Sequence, residues 1–150
     1  MSRINVEMVR MRLQKSVFLL NHQFQQPPQG EVITLGLNLR NWGEFYQNYT
    51  MVNFIQFFKT QGESNVPFSL ELEMAAVFSL SAPVPLAEQN SFVHKTLAQM
   101  VFPHTREYVA EITRRGGFPP LLLNLGGFQE GEGVESSPAM TSVSGSKWIH

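Results

Sequence analysis

The sequence predicts an α+β fold, four antiparallel strands followed by helices packed on the sheet. Three observations predict it. Apolar residues recur at every second position as far as Leu80, and after Pro83 and Pro85 the spacing changes to three and four. From Gly126 to His150 the periodicity stops and Gly, Ser and Glu dominate. One domain over residues 1–125 and a disordered tail over 126–150 are therefore expected.

The first strand is read at Val9, Met11 and Leu13, which alternate with Arg10, Arg12 and Gln14. Asn21 to Gly30, NHQFQQPPQG, is a polar loop that strands Phe24. Ile33, Leu35, Leu37 and Leu39 form one face of the second strand, and NWGE, Asn41 to Glu44, supplies a turn with Trp42 in it. Phe45 to Lys59 is apolar on both sides, as a central strand covered twice should be. After the turn TQGESNV come seven apolar residues at spacing two: Phe68, Leu70, Leu72, Met74, Ala76, Phe78 and Leu80. Glu71 and Glu73 lie on the opposite, solvated face of that strand.

Leu86, Asn90, Val93, Leu97 and Met100 set the rhythm of a first helix. A break at Phe102-Pro103 begins a second, with Thr105, Tyr108, Val109 and Ile112 as its inner stripe. Arg114 and Arg115 suit its last turn and Gly116-Gly117 ends it. Phe118 to Leu125, FPPLLLNL, is an extended and very apolar arm.

Composition excludes much chemistry. The chain has no cysteine, and all 12 acidic residues are glutamate. Disulfides, thiolate nucleophiles, cysteine-zinc sites, aspartate triads and the usual calcium loop are absent. The four histidines show no metal-ligand spacing, and no glycine run forms a phosphate loop. No enzyme and no cofactor are expected. A net charge of −1 argues against nucleic acid. Val17 to Leu20 is too short for a signal or a membrane span, so a cytoplasmic protein without membrane insertion is expected.

Only 15% of the residues are charged, against roughly 25% on average. Such a chain hides extra surface, most simply against a partner subunit. Phe24, Trp42 and the arm Phe118, Leu121, Leu122, Leu123 and Leu125 add apolar groups where a monomer would be polar. A patch of that kind marks an interaction site.

Phe102 to Leu123, FPHTREYVAEITRRGGFPPLLL, resembles the SecB export-chaperone family. Phe102, Pro103, Arg106, Glu107, Arg115, Gly116, Phe118, Pro119, Leu121 and Leu123 match its helix and following segment without a gap. Glu71 and Ala75 to Leu80 are similar to its fourth strand. The resemblance implies a long crossover between strands one and two and a homotetramer, a dimer of dimers. It implies ATP-independent holding of unfolded precursor polypeptides for export, with delivery to the translocase motor SecA.

By position, the resemblance implies a client groove of Phe24, Ile33, Leu35, Leu37, Tyr108, Ile112, Leu121, Leu123 and Phe128. Glu71 matches a SecA-docking acid, whereas Ser16 and Leu20 stand where the family carries acids on strand one. The crossover has Pro27-Pro28 in place of a tryptophan, and glycine-rich sequence replaces the family's second helix. A SecB-like chaperone dedicated to one client, such as an antitoxin, without SecA hand-over is the alternative.

Overall fold

The computed structural model describes residues 3–25, 32–61, 66–123 and 139–144. Strands β1 (Val6–Leu20), β2 (Val32–Tyr46), β3 (Met51–Gln61) and β4 (Phe68–Leu80) form an antiparallel sheet in the order β1-β4-β3-β2. The chain crosses from one edge of these four strands to the other between β1 and β2. A fifth strand, β5 (Ala139–Ser144), lies against the outer edge of β2. One face of the sheet carries the helical run. This comprises a 3₁₀ turn Leu86–Glu88, α1 (Gln89–Ser91), a π-helical segment Phe92–Leu97 and α2 (Ala98–Arg115).

Strict alternation builds the core. All seven apolar residues at even positions of β4 are buried, and β3 adds Val52, Phe54 and Phe58. β2 adds Leu35, Leu37 and Leu39. Val93, Leu97, Val101, Phe102 and Val109 press on them from the helices. Fully burying each such side chain is worth about 1.5–3 kcal/mol. Between Phe54 and Phe58 the same face of β3 carries a polar residue, Gln56, which is fully buried. Its Nε2 donates to Asn41 Oδ1 at 2.8 Å, and Thr105 Oγ1 donates to its Oε1 at 2.7 Å. This network ties β2, β3 and α2 together across the middle of the core.

Several boundaries differ from the sequence reading, each for a physical reason. NWGE is not a turn; β2 continues through it because Asn41 is buried in the Gln56 network and Trp42 pairs with Ile55. The turn comes later, where Gln47, Asn48 and Tyr49 adopt φ of 52°, 56° and 64°. Thr50 fastens it by donating from N–H and Oγ1 to the Gln47 carbonyl. β3 therefore starts at Met51. In β1, irregularities at Met8/Arg10 and Leu13/Lys15 displace Val9, which is 56% exposed.

The helical run does not break at Pro103, which lies inside α2. A proline there removes one amide from the helix ladder. The run is irregular further upstream, where the 3₁₀ turn Leu86–Glu88 and the π-helical segment Phe92–Leu97 precede α2. The tail is not wholly without structure either. Thr141 and Val143 suit a strand, and the vacant edge of β2 supplies backbone partners from Val32 to Leu37.

Gly43 lets the helices approach the sheet. A Cβ there would lie 3.0 Å from Val93 Cγ2 and 3.2 Å from Val52 Cγ1. Gly43→Val is expected to destabilise the protein by about 1–3 kcal/mol, read as a lower urea midpoint.

His94, on the π-helical segment, is half-buried, and burial pushes its imidazole below the ordinary value of 6.5. The unfolded chain thus takes up this proton first, so stability declines as the pH falls through 6.5 toward the lower folded value. His94→Gln is expected to flatten that part of a melting-temperature profile measured between about pH 7.5 and 5.

Candidate functional site: an apolar cleft beside the end of the helix

Where β1 ends, the chain must leave the sheet, and Asn21 controls how it does so. Its N–H donates to the Pro67 carbonyl at 2.9 Å and its Nδ2 to the Val66 carbonyl at 2.7 Å. Its Oδ1 accepts from the Gln23 N–H at 3.0 Å, an Asx turn, and its carbonyl accepts from the Phe24 N–H at 3.1 Å. These four bonds clamp β1 to the start of β4 and bend the chain back, with Phe24 half-buried.

The other wall comes from the end of α2. The Gly116 N–H bonds the Ile112 carbonyl at 3.0 Å, and the Phe118 N–H reaches the Thr113 carbonyl at 3.1 Å. Gly117 takes φ +92°, the left-handed conformation that such a stop requires. Thr113 Oγ1 then accepts from the Leu121 N–H at 2.9 Å, pinning the extended segment to the helix. Gly116 has no room for a side chain, since a Cβ would lie 2.5 Å from the Phe18 ring. Phe18, Phe68 and Phe118 pack in series as tilted rings, with centroid distances of 5.2 and 5.3 Å.

Between the walls lies an open cleft of about 560 Å³, lined by Leu20, Asn21, His22, Phe24, Pro67, Gly116, Gly117 and Phe118. Leu20 is 43% exposed on its rim. Tyr108 and Ile112 are half-buried on the helix nearby, and the Tyr108 hydroxyl is 2.9 Å from Ser16 Oγ. The cleft is a greasy surface with amide and imidazole groups at its edge. It suits an apolar side chain of an extended polypeptide rather than a reacting group. Among the described residues no group of three His, Cys, Asp or Glu could hold a metal.

The structure brings Phe24, Tyr108 and Ile112 to this region, half-buried against a single core cluster. Leu35, Leu37, Leu121 and Leu123 are placed differently. They are 0–4% exposed and belong to the core beneath the cleft, so they support its floor and offer no surface of their own. The reason is again alternation. The segment after Phe118 is extended, so Leu121 and Leu123 point inward while Leu122, between them, is 61% exposed. Ile33 lies in β2, paired with Val143. Phe128 lies outside the described residues. Sequence reasoning missed Leu20, Asn21, His22 and Pro67; an asparagine directly after an apolar strand was the available signal.

Glu71 is not free. Lys15 on β1 forms an ion pair with it, and hydrogen bonding to that ammonium holds the carboxyl below its usual range. Glu73 accepts from Gln14 Nε2 at 2.6 Å. Both acids of β4 are thus occupied by β1.

Residues 15–130 match the family model described as preprotein translocase subunit SecB. The protein-export protein SecB of Afipia carboxidovorans is 44% identical over 66 residues, covering 44% of this chain and 40% of that protein. That of Ruegeria sp. is 35% identical over 99 residues, covering 66% and 58%. The chain spans about two fifths to three fifths of the length of the curated relatives it matches. Among solved structures, a Mycobacterium tuberculosis SecB-like chaperone bound to a peptide of the HigA1 antitoxin superposes with a TM-score of 0.59 at 18% identity. The match covers 80% of this chain and 88% of that one. A Streptococcus agalactiae protein of unknown function gives 0.57 at 9% identity, covering 83% and 100%. At those identities the two structures share a fold with this chain.

Proposed function

The chain belongs to the SecB family, and from that premise we propose that it is an ATP-independent holdase for unfolded precursor polypeptides, keeping them competent for export. The carrying observation is the open apolar cleft, floored by a sealed core and rimmed by Leu20, Phe24 and Phe118. Holding requires only surface. One client Leu or Phe side chain contributes roughly 1.5–3 kcal/mol, so a single cleft binds weakly and tolerates any apolar sequence. Several clefts on one assembly raise the affinity by avidity. Binding the unfolded state alone opposes the client's folding by mass action. No bond is made or broken, and no cofactor is needed.

The working body is residues 1–125, assembled as a homotetramer, a dimer of dimers, in the cytoplasm. Val9, Leu13, Val17 and Leu19, all exposed on β1, support burial against another copy. Among the described residues no helix is long and apolar enough to cross a membrane. The test is light scattering by several unrelated, chemically unfolded clients without nucleotide. Suppression at a stoichiometric amount of chaperone is expected, and aggregation as fast as in its absence overturns the reading.

The Lys15–Glu71 ion pair favours a second reading for delivery. The acid that would dock SecA is neutralised, and Ser16 and Leu20 supply no others, which favours service to a dedicated client; its structural neighbour is a SecB-like chaperone in complex with an antitoxin peptide. SecA is expected to bind more weakly than about 1 μM by calorimetry. A sub-micromolar constant restores the hand-over.

A further inference from the structure

The sheet face turned away from the helices carries a second site, and its rows can be read from the strand register. Arg12, Ala75, Ile55 and Trp42 stand side by side across β1, β4, β3 and β2. Arg10, Val77, Asn53 and Glu44 form the adjacent row. These eight residues and Gln14 line a hollow of about 430 Å³. Its floor is formed by Ala75, Val77 and Ile55 with the polar Asn53 among them. Arg10 and Arg12 form one wall and Trp42, 37% exposed, forms the other. With strands about 4.8 Å apart, the walls are about 14 Å from each other, room for one polypeptide segment.

Charge decides what fits. Next to the hollow the acids of β4 are already engaged: Glu71 is ion-paired with Lys15, and Glu73 accepts a hydrogen bond from Gln14. At the hollow, Arg10 and Arg12 have no ion-pair or hydrogen-bond partner among the described residues, and Glu44 is the one acid in the lining. The Arg40 guanidinium lies 5.8 Å from the Trp42 ring centroid, an arrangement that holds the indole from one side. Arg10 and Arg12 are two residues apart in a regular stretch of strand, so their guanidinium stems rise about 6.7 Å apart. That spacing matches alternate carboxylates of an extended peptide, each able to take a bidentate pair.

We propose that this hollow docks an acidic segment of a partner polypeptide, with glutamates or aspartates on Arg10 and Arg12 and an apolar side chain against Trp42, Ile55 and Val77. Arginine and tryptophan at the centre of a shallow apolar site are the residue types that anchor protein interfaces. Two unpaired cations beside a glutamate make a poor track for a phosphate backbone. The surface is separate from the cleft at the end of α2 and does not depend on that cleft holding clients.

The test is fluorescence anisotropy with a labelled peptide of alternating glutamate and leucine. The protein is the full chain, Leu20→Ser/Phe24→Ser, or Arg10→Glu/Arg12→Glu. Binding to the first two and a loss of about ten-fold or more in the third are expected, with weakening as salt rises. The milder Arg10→Gln/Arg12→Gln gives an intermediate loss, and a peptide of alternating lysine and leucine does not bind. Equal affinity in the arginine variants overturns the proposal, as does loss of binding in the cleft variant. Displacement of the peptide by oligothymidylate of equal length reassigns the hollow to nucleic acid. A changed mass in solution for the arginine variants reassigns it to a second copy.

Discussion

Serine at both Leu20 and Phe24 is expected to raise the amount of protein needed to halve client aggregation by about ten-fold or more. The two side chains supply most of the open apolar rim on the β1 side of the cleft, and neither is sealed in the core. Losing roughly 2 kcal/mol of contact with a client corresponds to about thirty-fold in affinity, and avidity in an assembly multiplies the loss. Because Asn21 still clamps the turn, the melting temperature should move little. Unchanged suppression in this variant would place the client elsewhere on the molecule. Leu121→Ser is the contrasting control. It introduces a hydroxyl into the core and is expected to lower the melting temperature before it alters client binding.

Gln56→Leu is the second large effect. Leucine is apolar and close in size, so a view based on hydrophobicity alone would call it stabilising. The structure says otherwise. Asn41 and Thr105 are both buried and would each lose the Gln56 bond. A loss of about 2–4 kcal/mol in urea unfolding is expected. The triple variant Gln56→Leu/Asn41→Leu/Thr105→Val removes the three side chains joined by the two short bonds and should recover much of it, since these polar groups no longer strand one another. If the triple variant is no better than the single one, packing rather than polar satisfaction accounts for the cost.

Periodicity made much of this fold legible. The alternation in β4 put all seven buried residues on the right side, and the two-sided pattern of β3 matched its place between β4 and β2. What failed to show was where local patterns yield to long-range partners. NWGE reads as a turn until Asn41 meets Gln56, fifteen positions away in sequence. Pro103 reads as a helix start until the run before it proves continuous. Of the groove residues that the resemblance implies, Phe24, Tyr108 and Ile112 gather half-buried near the cleft, while four leucines lie in the core. Resemblance marked Leu121 and Leu123 as surface, but an extended segment pinned by Thr113 turns them inward. Asn21, which shapes the cleft by four hydrogen bonds, carries no apolar signal at all.

The two borders of the sheet are unlike. β5 caps the outside of β2, whereas β1, fifteen residues long, has a strand on one flank alone among the described residues. β1 is thus the long border among the described residues, and the opposite border is the six-residue β5 beside β2. If two molecules join along β1 by two-fold symmetry, that contact closes on itself and uses up the longest run of main chain open to pairing. What is left at either end begins with a short strand, a far poorer template for fibre growth than a flat fifteen-residue one.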